Sequence, residues 1–286
     1  MPSPAHLPVA NPYFWISVGF GAICAASLFL WIANLPRKVP ASGSGSWSFP
    51  DLGWLDAATF LALCYLAVFL SITLAQLLSK AFNIGDTEFA ILANFSMQGS
   101  LLLSMAYLGK KLPTTYGTPH TRPDALPIRK AILHAIFAFV KFLPLIWVVN
   151  SLSQHFLESL GAEIDQQEPV KQILSALQGS PLKFAALAFG AVVLAPIAEE
   201  LLFRGFLYRY FLNKMTMLQA AVLSSVLFAA IHMHIASFLP LFCLGFLFAH
   251  AYQATGNIVA PIFFHGLFNA TTISLMLLTP WMPEAQ

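Results

Sequence analysis

Apolar residues fall in runs of about 20 along the chain, separated by short polar or turn-forming segments. A hydrocarbon core roughly 30 Å thick needs about 20 residues at a helical rise of about 1.5 Å each, so the pattern predicts membrane-spanning helices. Eight spans are expected, near residues 12–35, 55–79, 88–108, 130–153, 183–212, 217–235, 237–253 and 257–280, of which 237–253 is notably short. The predicted fold is all-α, a polytopic membrane helix bundle. Between Met215 and Pro283 there is no Asp, Glu, Lys or Arg. Turn chemistry must therefore separate the last three spans, at His234-Ile235-Ala236 and at Ala254-Thr255-Gly256-Asn257.

Val39 to Gly53 is rich in Gly, Ser and Pro, and Pro113 to Pro127 is rich in Thr and Pro; both read as loops outside the membrane. The N-terminal apolar run lacks the basic flank of a cleavable signal and reads as the first span. Two parts are expected: residues 1–160 as N-terminal spans and loops, and 161–286 as a catalytic membrane core. Composition agrees, since 58% of residues are hydrophobic and 9% charged, against about 25% charged in soluble domains. A formal charge of +2 provides no field for nucleic acid, so none is expected as a partner. Cys24, Cys64 and Cys243 lie in apolar stretches and read as core.

The placement of basic residues predicts orientation. Arg37 and Lys38, then Lys110, Lys111, Arg122, Arg129 and Lys130, then Arg209 and Lys214 fall in one set of loops, and only Lys80, Lys171 and Lys183 in the other. The positive-inside rule then puts both termini outside, in what would be a cell inner membrane. Ser151 to Gly179 is acidic, and Val170 to Leu177 has the spacing of a short interfacial helix, a connector or a lid.

Ionisable side chains inside a span cost several kcal/mol unless paired or facing a wet cavity. They cluster here: Glu199, Glu200 and Arg204, beside Pro196, in the fifth span, His232 and His234 in the sixth, His250 in the seventh, and His265, with the amide of Asn269, in the eighth. His134, Lys141, Asn94 and Gln98 are scattered in earlier spans; Lys141, His234 and His250 read individually as structural or interfacial. Glu200 and Arg204 are i,i+4, which pairs them on one helix face. Glu199 points about 100° away and has no basic partner within its helix, so it must be protonated or meet a partner from another span. With a hairpin turn at Asn213 to Thr216, Glu199 lies about 20 Å and His232 about 24 Å from the turn, at one level. His265 and Asn269 share a face of the last span. Pro196 should break the helix where the site begins, near the carbonyl of Val192.

A Glu and a His sharing a water can act as general base, and a second His and an Asn can donate to the oxyanion that develops when water attacks an amide. Two His and a Glu could alternatively bind zinc, although no His-Glu-x-x-His is present. By residue type alone, hydrolase, transporter or proton relay, and hydrogen-bonded helix glue all stay open.

The order Glu199-Glu200-Leu-Leu-Phe-Arg204, Phe228-Ala-Ala-Ile-His232, His265-Gly-Leu-Phe-Asn269 resembles the EExxxR, FxxxH and HxxxN motifs of the CAAX-processing/bacteriocin-processing (CPBP) intramembrane proteases, which include the type II CAAX prenyl endopeptidases. The likeness covers roughly residues 181–280. It implies an endopeptidase in which Glu199 and His232 activate water, His265 and Asn269 bind the oxyanion or substrate carbonyl, and Glu200 and Arg204 hold the motif. The substrate would be a peptide or protein, lipidated or membrane-associated. The resemblance leaves a metal-free reaction and a zinc enzyme ligated by Glu199, His232 and His265 both open. A non-proteolytic transporter, immunity protein or scaffold using the same polar cluster is the alternative.

Overall fold

The computed structural model describes residues 52–111, 121–162 and 167–278. They form helices α1 (Trp54–Phe82), α2 (Asp86–Lys111), α3 (Ile128–Ser159), α4 (Glu168–Gly179), α5 (Pro181–Leu212), α6 (Met217–Ala230), α7 (Ile235–Thr255) and α8 (Val259–Leu278). Among the described residues there is no strand, only one isolated bridge between Thr121 and Asn257. Six helices, α1, α2, α3, α5, α7 and α8, are long and apolar enough to cross a membrane, and the chain is an integral membrane protein of all-α fold.

The expected span 12–35 lies outside the described residues. The other expected spans each coincide with a helix, but two lengths differ from expectation. The segment expected as 217–235 is helical only over the 14 residues of α6, which at about 1.5 Å per residue reach ~21 Å and fall short of a bilayer core. The segment expected to be short is the 21-residue α7. The cause is local. His234 caps α7, its Nδ1 accepting from the Ser237 amide at 3.2 Å, while Met233 takes a positive φ of 51°. The turn therefore falls at residues 231–234, earlier than expected, and Ile235 and Ala236 join α7.

Capping residues set the ends that position the site. Thr216 starts α6 with a reciprocal capping box: Gln219 Oε1 accepts from the Thr216 amide at 3.0 Å and Thr216 Oγ1 accepts from the Gln219 amide at 3.4 Å. Gly256 ends α7 in the left-handed region at φ 65°, its amide donating to Tyr252 O at 2.8 Å. The segment before α3 clamps that turn. Arg122 N donates to Gly256 O and Leu126 N to Thr255 O, both at 2.8 Å, and Asn257 Nδ2 donates to Leu126 O at 3.0 Å. The start of α3 and the α7–α8 turn are thereby tied together.

α1 packs on α2, α2 on α5, α3 on α7 and α8, and α6 on α7. In lipid, apolar burial does not by itself drive helices together, and close packing of small residues does much of the work. Ala131 and Ala135 of α3, Ala249 and Ala251 of α7, and Ala260 of α8 are all fully buried. Around them sits an aromatic core that includes Phe60, Phe139, Phe203, Phe206, Phe228, Phe248 and Phe264. The amphipathic α4 seats Ile173 and Ala176 against Ala90, Leu187 and Ile273, covering the end of the bundle where α5 begins.

Candidate active site

α5 carries the first motif and is not a uniform α-helix. It widens into π-helical turns over Gly190–Leu194 and Leu201–Tyr208, on either side of the regular turn Ala195–Glu200. Pro196 lacks an amide donor and its ring crowds the carbonyl one turn back. A wider turn accommodates both demands, and Ala195 N donates to Gly190 O five residues earlier. Such bulges frequently mark functional sites.

Glu200 and Arg204 are fully buried. Arg204 Nη1 donates to Glu200 Oε1 at 2.9 Å and Nη2 to the carbonyl of Gly245 at 2.6 Å. The guanidinium carbon also stands 4.8 Å from the Phe228 ring centre and 5.2 Å from that of Phe248, close enough for cation–π attraction. Glycine at 245 makes this approach possible. A Cβ there would sit 3.1 Å from the Ser225 backbone and 3.2 Å from Arg204 Nη2. Nothing in the apolar run of α7 marked that glycine as part of the site.

His265 is buried on α8, its ring stacked on Phe248 with centroids 4.8 Å apart and planes 19° from parallel. Its Nδ1 is 3.0 Å from Glu200 Oε1. Glu200, expected to serve Arg204 alone, thus joins two cationic or donor groups at one oxygen. One turn further, Asn269 Nδ2 donates to Ala191 O at 2.8 Å, inside the first π-helical turn. Gly266 allows this seating, since a Cβ there would lie 2.7 Å from Val192 O.

His232 lies in the turn after α6 rather than within a span, and its Nδ1 is 2.7 Å from Phe228 O. A carbonyl only accepts, so Nδ1 carries the hydrogen, and in the neutral ring Nε2 keeps its lone pair. His234 serves as the helix cap described above, consistent with a structural role.

Phe228 gathers the three motifs. Its ring centre lies 4.8 Å from the Arg204 guanidinium, 4.9 Å from the His232 ring and 5.8 Å from the His265 ring. Glu199 is half-buried, and its Oε2 is buried without a hydrogen-bond partner among the described residues. The expected convergence of Glu199, both imidazoles and Asn269 is therefore not a hydrogen-bonded quartet. His265 pairs with the neighbouring carboxylate, His232 with a backbone carbonyl and Asn269 with the π-helical backbone. Asn94, on α2, adds a further buried polar atom, Oδ1, that has no hydrogen-bond partner among the described residues and lies against Gly190.

The expected zinc set of Glu199, His232 and His265 does not assemble: among the described residues no three His, Cys, Asp or Glu side chains are grouped to hold a metal ion. A small cleft lined by Tyr208, Met217, Leu218, Phe246, His250 and Gln253 lies apart from the three motifs.

Comparison with known proteins follows the same residues. Residues 181–271, which span all three motifs, match the family model described as Type II CAAX prenyl endopeptidase Rce1-like. The protein named "Putative membrane peptidase YdiL" of Bacillus subtilis (strain 168) is 30% identical over 150 residues, covering 52% of this chain and 58% of that relative. The match thus spans less than two thirds of the curated relative's length. No solved structure matches. Motif order, buried geometry and both likenesses coincide in the C-terminal helices, which are similar to the type II CAAX prenyl endopeptidase Rce1-like family and to the relative named "Putative membrane peptidase YdiL".

Proposed function

We propose that the protein is an intramembrane endopeptidase of CAAX type. The observation that carries this reading is the Phe228 ring in contact with Arg204, His232 and His265, which brings residues of all three motifs to one place. Glu199 Oε2 is buried with no hydrogen-bond partner among the described residues, an acceptor available to a water as a general base requires. In this reading water attacks the scissile carbonyl and its proton passes to Glu199, with His232 Nε2 accepting a hydrogen bond from the same water. When the C–N bond breaks, the proton held by Glu199 moves to the departing amine.

The second amide hydrogen of Asn269, the first being held by Ala191 O, is available to the oxyanion. His265 can donate from Nε2 as well once it carries both ring protons, and Glu200 is the carboxylate that would offset that charge. Glu200 and Arg204 are positioning residues here. No step is routed through zinc, because the side chains that would hold it are not grouped as a ligand set. The catalytic core in this proposal is residues 161–286, with α3 as a supporting wall packed on α7 and α8. The substrate is a peptide or protein at the membrane, and the Arg122 to Lys130 end of the bundle faces the cytoplasm of a cell with this chain in its inner membrane.

Purified protein assayed on a peptide library should cleave. Glu199→Gln and His232→Ala should each lower the rate by about 10²- to 10⁴-fold, the usual contribution of general acid–base catalysis, with unchanged unfolding midpoints. Undiminished cleavage in both variants would remove the site assignment, and an inactive wild type on every peptide would remove the peptidase reading. Zinc content measured beside activity after chelation tests the metal-free step. Reporter fusions after Lys130 and Lys183 should report inside and outside respectively.

A further inference from the structure

Two turns share one unusual backbone conformation. Asn83, between α1 and α2, has φ 50°, and Met233, between α6 and α7, has φ 51°. Asparagine adopts this left-handed region more readily than most side chains, whereas a long apolar side chain is uncommon there. The surroundings differ as well. Lys80, Asp86 and Glu88 flank Asn83 and all three are exposed, as befits a turn in water. Around Met233 there is no Asp, Glu, Lys or Arg from Met215 to Met282. The turn is nevertheless open: Ile231, Met233 and Ile235 are 55%, 90% and 75% exposed.

Depth identifies what surrounds these side chains. α6 begins beside the exposed Lys214, which marks one headgroup boundary. Its 14 residues rise ~21 Å, and the turn to Met233 adds about 5 Å. A reach of about 26 Å falls short of a hydrocarbon core about 30 Å thick, and any tilt shortens it further. The tip of the turn therefore stops below the opposite headgroups. Irregular backbone survives at such a depth only where its polar groups are satisfied. The amides of Ile231, His232 and Met233 donate to Leu227 O, Ala229 O and Ala230 O at 3.2, 3.3 and 3.1 Å. His232 Nδ1 donates to Phe228 O, and His234 Nδ1 accepts from the Ser237 amide. The turn thus folds its hydrogen bonds inward and presents hydrocarbon outward.

We propose that Ile231, Met233 and Ile235 form a lipid anchor, seated among the phospholipid acyl chains just below the headgroups of the leaflet opposite Lys214. His232 sits between two of the anchoring residues, so its depth is fixed by lipid as well as by its bond to Phe228 O. The proposal is independent of the peptidase reading.

The test uses the full chain in phosphatidylcholine nanodiscs. A nitroxide is attached to Met233→Cys, or in a second preparation to Ile235→Cys, in a background of Cys24→Ala, Cys64→Ala and Cys243→Ala. Collisions with oxygen, which concentrates among acyl chains, are compared with those of a water-soluble nickel chelate. Oxygen should dominate at both positions, and nickel at a reference label on Asp86→Cys in the charged turn. A second measurement keeps the native cysteines. Met233→Asn suits the left-handed backbone better but places an amide in lipid, and should lower the thermal unfolding midpoint by about 2–4 °C. Nickel dominating at 233 and 235 would put the turn in water and overturn the proposal. Low collision rates with both reagents would also overturn it, by assigning the surface to a covering protein segment. So would a raised midpoint in Met233→Asn.

Discussion

α1 and α7 are similarly apolar yet occupy opposite environments. Their most apolar windows have mean hydropathies of 2.2 and 1.8, but 11% of the first is buried within the protein and 56% of the second. α1 turns Leu63, Leu66, Phe69, Leu70 and Leu74 outward. α7 buries Gly245, Ala249, Ala251 and Tyr252, and supplies a backbone carbonyl to a buried arginine. Hydropathy therefore reports the solvent a helix tolerates and says little about its neighbours. Small residues, which let backbones approach, and polar groups with partners on other helices separate the two cases.

The largest test of that contrast is removal of the charge at the centre of the enclosed region. Arg204→Ala strips Glu200 of its cation and leaves the Gly245 carbonyl and the His265 pair without their anchor. Breaking a buried ion pair from one side costs about 3–5 kcal/mol, so the purified variant should unfold at a much lower temperature or fail to accumulate. Leu70→Ala on α1, facing lipid, should stay within about 0.5 kcal/mol of the wild type. The double variant Glu200→Gln, Arg204→Met should recover part of the loss, because it leaves no lone charge. Equal stability of Arg204→Ala and Leu70→Ala would show that the buried cluster contributes no more to the fold than the lipid-facing surface.

A smaller effect is expected at Gly245. An added Cβ would press on the Ser225 backbone at 3.1 Å and on Arg204 Nη2 at 3.2 Å, a side-chain end held in place by its bonds to Gly245 O and, through Nη1, to Glu200. Overpacking of this kind costs about 1–3 kcal/mol, and Gly245→Ala should also lower the proposed peptidase activity by moving the Arg204 and Glu200 pair. Unfolding midpoint and turnover measured on the same preparation check both effects. A variant as stable and active as the wild type would mean that α6 and α7 can separate without disturbing the ion pair.

The same contrast explains what could be read from the residues in order. Long apolar runs and the i,i+4 pairing of Glu200 with Arg204 depend on local periodicity, and both appear in the fold as expected. The choice of His265 for Glu200 rather than Glu199 depends on helix rotation. Each extra residue accommodated by a π-helical turn rotates the following face by about 100°, and two such segments flank the glutamates. The α6–α7 boundary was displaced for a different reason. From Thr216 to Thr255 there is no charged residue to mark the membrane edge, and the one local signal, His234 capping onto Ser237, resembles any other polar pair until the turn is formed. The role of the Gly245 carbonyl was beyond sequence reading because a backbone acceptor has no side-chain signature.

The smallest predicted effect has the opposite sign. Gly99 lies within α2, and a Cβ built there meets nothing within 4 Å, whereas the same atom at Gly245 meets backbone. An unstrained helical glycine replaced by alanine loses less conformational entropy on folding, a gain of about 0.4–1 kcal/mol. Gly99→Ala should therefore raise the unfolding midpoint slightly and leave turnover unchanged. Gly99→Leu extends the test, because a lipid-facing site accepts the larger side chain and a site awaiting a neighbour does not. Destabilisation by leucine with tolerance of alanine would show that this part of α2 is a packing surface, and the division between a lipid-facing N-terminal hairpin and an enclosed C-terminal core would then begin after α1.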